Sequence, residues 1–232
     1  MLILAIDTAL DACAAGVLDT DAGKLIAQES ESMKRGHAEA LMPLIARVIK
    51  ASGVAFAALD RIAVTTGPGS FTGLRVGLSA ARGIALAAGK PVVGVTTLTA
   101  YAAPVVSEHG EHPIIAAIDA RHDHVYFQVV GGDGTSLIAP QVLAVAEALA
   151  AWRFGPPHLV GNAAKILGDR WPAHAAPPLK VDAQPAPDIA WVAWLGAAVN
   201  PEGAPARPCY LRAPDAKPSK DVPLTITQPI AS

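Results

Sequence analysis

The residues Gly67-Pro-Gly-Ser-Phe-Thr-Gly73 stand between a strand-like run and a helix-like one. Glycines at such a junction can turn backbone amides toward an anion at a helix N-terminus, so phosphate binding is the chemistry their spacing suggests. The loop lacks the Lys-Ser/Thr pair of a P-loop. Its second and third glycines are also one residue too far apart for the dinucleotide fingerprint. The other reading is a tight turn whose glycines admit close backbone packing. Asp7-Thr8 closes the apolar run Leu2 to Ile6 and could hold a metal–phosphate. Ala9, Leu10 and Ala12 follow where an ATPase loop offers glycine and hydroxyl donors, which favours a turn. No cofactor-binding residue is assigned; Asp7, Thr8, Gly67, Gly69 and Ser70 are the candidates should a nucleotide bind.

His109-x-x-His112 and His122-x-His124 have the form of metal pairs. Zinc needs three or four ligands with supporting hydrogen bonds. The first pair sits in a linker-like segment beside Pro113, and the second flanks Asp123 at a strand start. Both are read as solvated loops, and no metal ligand is assigned. Ser70 is not a nucleophile elbow, because Gly69-Ser-Phe-Thr-Gly73 is one residue too long after the serine. His37 precedes an amphipathic helix and is read as a cap or a partner contact. No catalytic residue is assigned.

The elements that carry these residues follow from periodicity. Leu2 to Ile6, Ala12 to Leu18 and Leu25 to Ser30 read as strands, with Asp19 to Gly23 as a turn. Leu41, Leu44, Ile45, Val48 and Ile49 recur at helical spacing up to Gly53. A strand at 61–66, the glycine loop, a helix at 74–88 and a strand at 90–95 make a βαβ unit with parallel pairing. A helix starts at Thr96. The second half opens as the first does, with an apolar strand ending in Asp119. A strand at 124–130, an Asp133-Gly134 turn, a helix from Gln141 to Trp152, a strand at 158–161 and helices at 163–168 and 190–199 complete the reading. The expected division is an N-terminal unit at 1–106, a second unit at 107–212 and a flexible tail at 213–232.

Two helices lack a charged face. Along Leu74 to Ala88 only Arg75, Ser79 and Arg82 are polar, and the first turns of the helix carrying Leu41 are short of charge. Such helices need cover, from the chain or from a partner. The expectation is a subunit interface of closely approaching helices, formed by His37, Leu41, Leu44, Ile45, Val48, Arg75, Leu78, Ala81, Arg82 and Ala85.

Composition bounds these readings. The 232 residues are 52% hydrophobic and 16% charged, enough to bury a core. A formal charge of −2 argues against gripping nucleic acid unaided. Two distant cysteines, Cys13 and Cys209, suit reduced cytosol. The apolar start meets Asp7 at once and reads as a buried strand, and no membrane span is expected.

Arg35-Gly-His37, Thr66-Gly-Pro-Gly-Ser-Phe-Thr-Gly-Leu-Arg-Val-Gly77, Asp119-Ala-Arg121 with Val125-Tyr126, Gly161-Asn162 and Tyr210-Leu-Arg212, together with the opening strand and its Asp, resemble the TsaB family over nearly the whole chain except the tail. The resemblance implies an α/β fold of two actin-like, RNase H-like subdomains of βββαβα type. It implies a cytoplasmic, non-catalytic paralogue of the TsaD enzyme, which forms homodimers and pairs with the TsaD-like enzyme through N-terminal helices. With a TsaE-like ATPase, that complex places threonylcarbamoyl on the adenosine beside the tRNA anticodon. The implied subunit meets tRNA only through the complex and has no cofactor of its own, ATP and a divalent metal belonging to its partners. The histidines that hold the TsaD metal correspond to Thr97 and Tyr101 here, and neither is a usual ligand for such a metal. The competing readings are a metal-dependent transferase or metalloprotease-like enzyme, and a small-molecule kinase of the same superfamily.

Overall fold

The computed structural model describes residues 1–108 and 110–212. His109 and the expected flexible tail lie outside the described residues. The first half runs β1 (Leu2–Asp7), β2 (Ala12–Asp19), β3 (Lys24–Ser32), α1 (His37–Ser52), β4 (Arg61–Gly67), α2 (Phe71–Ala88), β5 (Val92–Thr96) and α3 (Thr97–Glu108). The second runs β6 (Ile114–Asp119), β7 (His124–Val130), β8 (Ser136–Ala144), α4 (Val145–Ala148), β9 (His158–Val160), α5 (Ala164–Asp169), β10 (Lys180–Asp182) and α6 (Ile189–Ala198). The sheets have orders β3-β2-β1-β4-β5 and β8-β7-β6-β9-β10. In each, the first three strands pair antiparallel and the last two join parallel. One topology is thus used twice, and the fold is the two-subdomain actin-like α/β fold. Each half carries one strand and one helix more than βββαβα.

β1 is apolar without interruption because both faces of the first sheet are covered. Leu4 and Ile6 meet Leu41, Leu44, Ile45 and Val48 of α1 and Leu78, Ala81 and Ala85 of α2. Ile3 and Ala5 face the other way, onto Ile189, Val192 and Ala193 of α6. α1 and α2 lie in contact with each other on the first of these faces.

Three of the expectations can be set against this architecture. Residues 141–144 belong to strand β8, and only Val145–Ala148 is α-helical before a 3-10 stretch at Leu149–Phe154. Tertiary pairing overrides the helical pattern: Val142 and Leu143 stand opposite Tyr126 and Val125 and complete the ladder of β7. Pro140, which has no N–H to donate, is tolerated because β8 is an edge strand. Second, the late helix expected at 190–199 crosses back from the second half onto the first. α6 covers the first sheet, and Val93 bridges Pro205 beyond it. A helix this apolar needs cover that β6–β9 do not provide. Third, most of the expected interface residues point inward. Leu41, Leu44, Ile45, Val48, Leu78, Ala81 and Ala85 are buried in the chain's own core, and His37 is buried with Nε2 3.1 Å from the Leu10 carbonyl. The apolar stripe of each helix covers the sheet, the larger apolar surface within reach.

Candidate functional site

The end of β1 and the glycine loop close directly on each other. Ser70 caps α2 by accepting from the Gly73 amide at 3.3 Å, and its own amide donates to the Ala9 carbonyl at 2.7 Å. The Thr8 hydroxyl donates to the Gly73 carbonyl at 2.7 Å. A Cβ at Gly69, Gly73 or Gly77 would come closer than 3.0 Å to Ala9 or Thr8. The glycines therefore serve contact between loop and strand. Thr8 and Ala9 fill the space in front of Gly69 and Gly73, and the Ser70 and Gly73 amides already have acceptors within the chain.

Asp7 lies beneath this contact and is fully buried. Its Oδ1 accepts from the Thr65 hydroxyl at 2.6 Å and from the Ala9 amide at 3.0 Å, while Oδ2 has no partner. Burial raises its pKa above the ordinary carboxylate value, against the lowering pull of Thr65, Ala9 and nearby His37. Tyr101 on α3 is also buried, and its hydroxyl donates to the Gln184 carbonyl at 2.9 Å. Desolvation, then the charges of Asp7 and Asp11, push that phenol far above its usual pKa. Thr97 is buried with its hydroxyl unpartnered. A neutral threonine and a phenol held protonated by burial do not fit a divalent metal. Among the described residues no group of three or more His, Cys, Asp or Glu side chains could hold one.

Of the sequence-derived candidates, the structure brings Asp7, Thr8, Gly69 and Ser70 together around the start of α2. Gly67 stands at the loop entrance, where a Cβ would meet Leu74 and, at 3.2 Å, the Cys209 carbonyl. Arg82, expected at the interface, is engaged within the chain: its guanidinium donates to the Ala206 carbonyl, from Nε at 3.1 Å, and holds the chain after α6 against α2. Arg75 is exposed, with its guanidinium 3.8 Å from the centre of the Phe71 ring.

The surface that α1 and α2 leave outward was not found by following apolar periodicity. Met42 and Leu86 are exposed, Leu86 at 86%. Ala46, Gly83 and Ala87 are exposed on the same two helices. The signal was available: Leu86 is a large apolar residue on the stripe Arg75, Ser79, Arg82, which is otherwise the polar side of α2.

A family model described as TsaD, tRNA N6-adenosine threonylcarbamoyltransferase, matches residues 24–179. The tRNA threonylcarbamoyladenosine biosynthesis protein TsaB of Haemophilus influenzae is 37% identical over 130 residues, 56% of this chain and 54% of that protein. Its Escherichia coli counterpart is 36% identical over 127 residues, 55% and 54% respectively. The matched chain thus spans about half the length of these relatives. An uncharacterized Mycobacterium tuberculosis protein, Rv3421c, is 34% identical over 93% of this chain and 94% of its own length. The solved structure of YeaZ from Pseudomonas aeruginosa superposes with a TM-score of 0.74 at 30% identity, covering 90% of this chain and 99% of the other.

Proposed function

Since this chain belongs to the TsaB family, we propose that it serves tRNA threonylcarbamoyladenosine biosynthesis as a non-catalytic partner of a TsaD-like transferase. In this reading it works in the cytosol beside a TsaE-like ATPase, forms homodimers in the absence of the transferase, and meets tRNA within the complex. ATP and the divalent metal are bound by the partners. One observation carries the proposal: Thr8 and Ala9 of the chain itself fill the space before the glycine loop. The donors at Thr97 and Tyr101 point the same way. Both are buried at the positions of the TsaD metal histidines, and neither is a usual ligand for a divalent metal. Among the described residues no helix is long and apolar enough to cross a membrane.

The pairing surface is then the outward side of α1 and α2, with Met42, Ala46, Gly83, Leu86 and Ala87 at its centre and Arg75 at its edge. Ala81 faces the sheet, so enlarging it would break the fold before it tested an interface. Leu86→Asp is the informative change, because the side chain is exposed and its loss leaves the core intact. Mixed with the cognate TsaD-like protein, the wild-type chain is expected to give a complex of summed mass by ultracentrifugation. Leu86→Asp is expected to weaken that complex at least tenfold, about 1.4 kcal/mol, with an unchanged circular dichroism spectrum. Threonylcarbamoyl transfer or sustained ATP turnover by the pure chain would overturn the non-catalytic role. Full-strength pairing by Leu86→Asp would move the interface elsewhere.

A further inference from the structure

Two exposed rings lie together at the start of α2. Phe71 and Tyr210 are 40% and 46% exposed, with centroids 5.4 Å apart and planes inclined by 35°. Arg75 lies over Phe71. Leu211 packs on the cluster that contains Leu10, Leu74 and Tyr101, which anchors the backbone and leaves Tyr210 at the surface. Arg212 then donates to the Ala120 carbonyl at 3.3 Å, so the strip continues onto the turn between β6 and β7. In that turn Arg121, His122 and Asp123 are exposed and all have left-handed backbone, with φ of 61°, 52° and 58°. Three successive non-glycine residues in that region are strained, and strain of this kind collects at functional sites.

The charges along the strip favour an anionic ligand. Arg75 and Arg121 carry positive charge, and the Arg212 guanidinium is engaged by the chain itself. Asp123 is paired with Arg170, and Asp119, whose Oδ1 accepts from the Arg121 amide at 2.8 Å, keeps its negative charge. This basic strip belongs to a chain of formal charge −2. The exposed Tyr210 ring beside the Phe71–Arg75 stack suits an unpaired base with its neighbouring phosphates, since rings stack bases of any identity and arginine adds phosphate contacts. A duplex keeps its bases stacked on each other and has none to offer.

We propose that Phe71, Tyr210, Arg75 and Arg121 form a platform for an unpaired base of single-stranded RNA. The choice of RNA over DNA rests on the tRNA-modification role proposed above. The two rings lie at the start of α2, apart from Leu86 near its end, so the ring variants and Leu86→Asp separate RNA contact from subunit pairing, while Arg75 borders both surfaces.

The test is fluorescence anisotropy at low ionic strength with the full chain, using a fluorescein-labelled RNA hairpin with an unpaired loop and the same RNA annealed to its complement. The hairpin is expected to bind more tightly than the duplex. Tyr210→Leu and Phe71→Leu are each expected to weaken hairpin binding about tenfold with unchanged circular dichroism. Arg75→Gln is expected to reduce the slope of log affinity against log salt by about 0.7. Equal affinity for hairpin and duplex, no hairpin binding, ring variants that bind like wild type, or displacement of the hairpin by equimolar ATP would each overturn the platform. The mass of the complex with the TsaD-like protein, measured on the same variants, keeps the two proposals apart. Hairpin binding without pairing would support the platform and count against the partner role alone; intact pairing with no hairpin binding would do the reverse.

Discussion

Asp7 is where a single side chain carries the most physical tension. Its carboxyl is buried, one oxygen is satisfied twice and the other has no partner. Burial raises its pKa, so folding favours the protonated form. The stability gained in this way is complete below the ordinary carboxylate pKa of the unfolded chain. It is lost as pH rises from there through the folded value. Asp7→Asn keeps the shape and an acceptor for Thr65 but cannot ionise. The difference in melting temperature between Asp7→Asn and wild type is therefore expected to move in favour of the variant as pH rises from about 4. Thermal denaturation across the acid range checks this, and a difference that does not change with pH would show that Asp7 is not titrating in the fold. Exposed carboxylates such as Glu29, whose pKa is lowered by Arg47, act in the opposite sense and cancel in that difference.

At the scale of elements, the junction of β1, the glycine loop and α2 depends on missing side chains. Gly73 sits against the Thr8 carbonyl, and neither backbone can withdraw without breaking the Thr8–Gly73 hydrogen bond. Gly73→Ala is expected to destabilise the isolated chain by about 1–3 kcal/mol or more, as overpacking does. Gly83, nearly three turns further on, has open space around its would-be Cβ. Gly83→Ala is expected to stabilise by about 0.5–1 kcal/mol through helix propensity. Urea unfolding of the two variants side by side measures both. Similar effects at the two positions would mean that propensity, and not the contact with β1, governs this helix.

For the whole molecule the telling feature is the return of the chain from the second sheet to the first. α6 lies across β1 and β4, with Gly196 so close to Ala63 that a Cβ would not fit. The Arg61 guanidinium donates to the carbonyls of Gly196, Ala197 and Val199 at 2.7, 3.2 and 2.7 Å, placing a cation at the C-terminal end of the helix. Beyond it, Gly94 donates to Ala204 at 2.9 Å and Cys209 to Thr66 at 2.7 Å. The two halves are therefore tied by residues 189–209 as well as by α3. Arg61→Met keeps the aliphatic stem and removes the charge. It is expected to cost about 2 kcal/mol and to speed amide exchange in α6 while β6 and β7 stay protected. Uniform acceleration across both sheets would show that α6 opens only when the whole molecule unfolds.

The strands that end in Asp7 and Asp119, the βαβ unit around the glycine loop, the helix carrying Leu41 to Ile49 and the helix at 74–88 were legible from sequence because each is a local pattern of period two or 3.6, while the first turn of α2 from Phe71 was read as loop. The repeat of the two openings pointed to the duplicated fold, and the glycine-loop and Asp-Ala-Arg motifs to the family. Which face of α1 and α2 is free was decided only by tertiary structure. A stripe of Leu41, Leu44, Ile45 and Val48 states that something apolar covers it, but not whether that cover is a sheet or a partner. The strand at 136–144 needed β7 as its template, and the exposed pairing of Phe71 with Tyr210 joins residues far apart in the chain. Local chemistry is written in neighbouring residues; the choice among possible contacts is settled by which surfaces the whole chain brings within reach of one another.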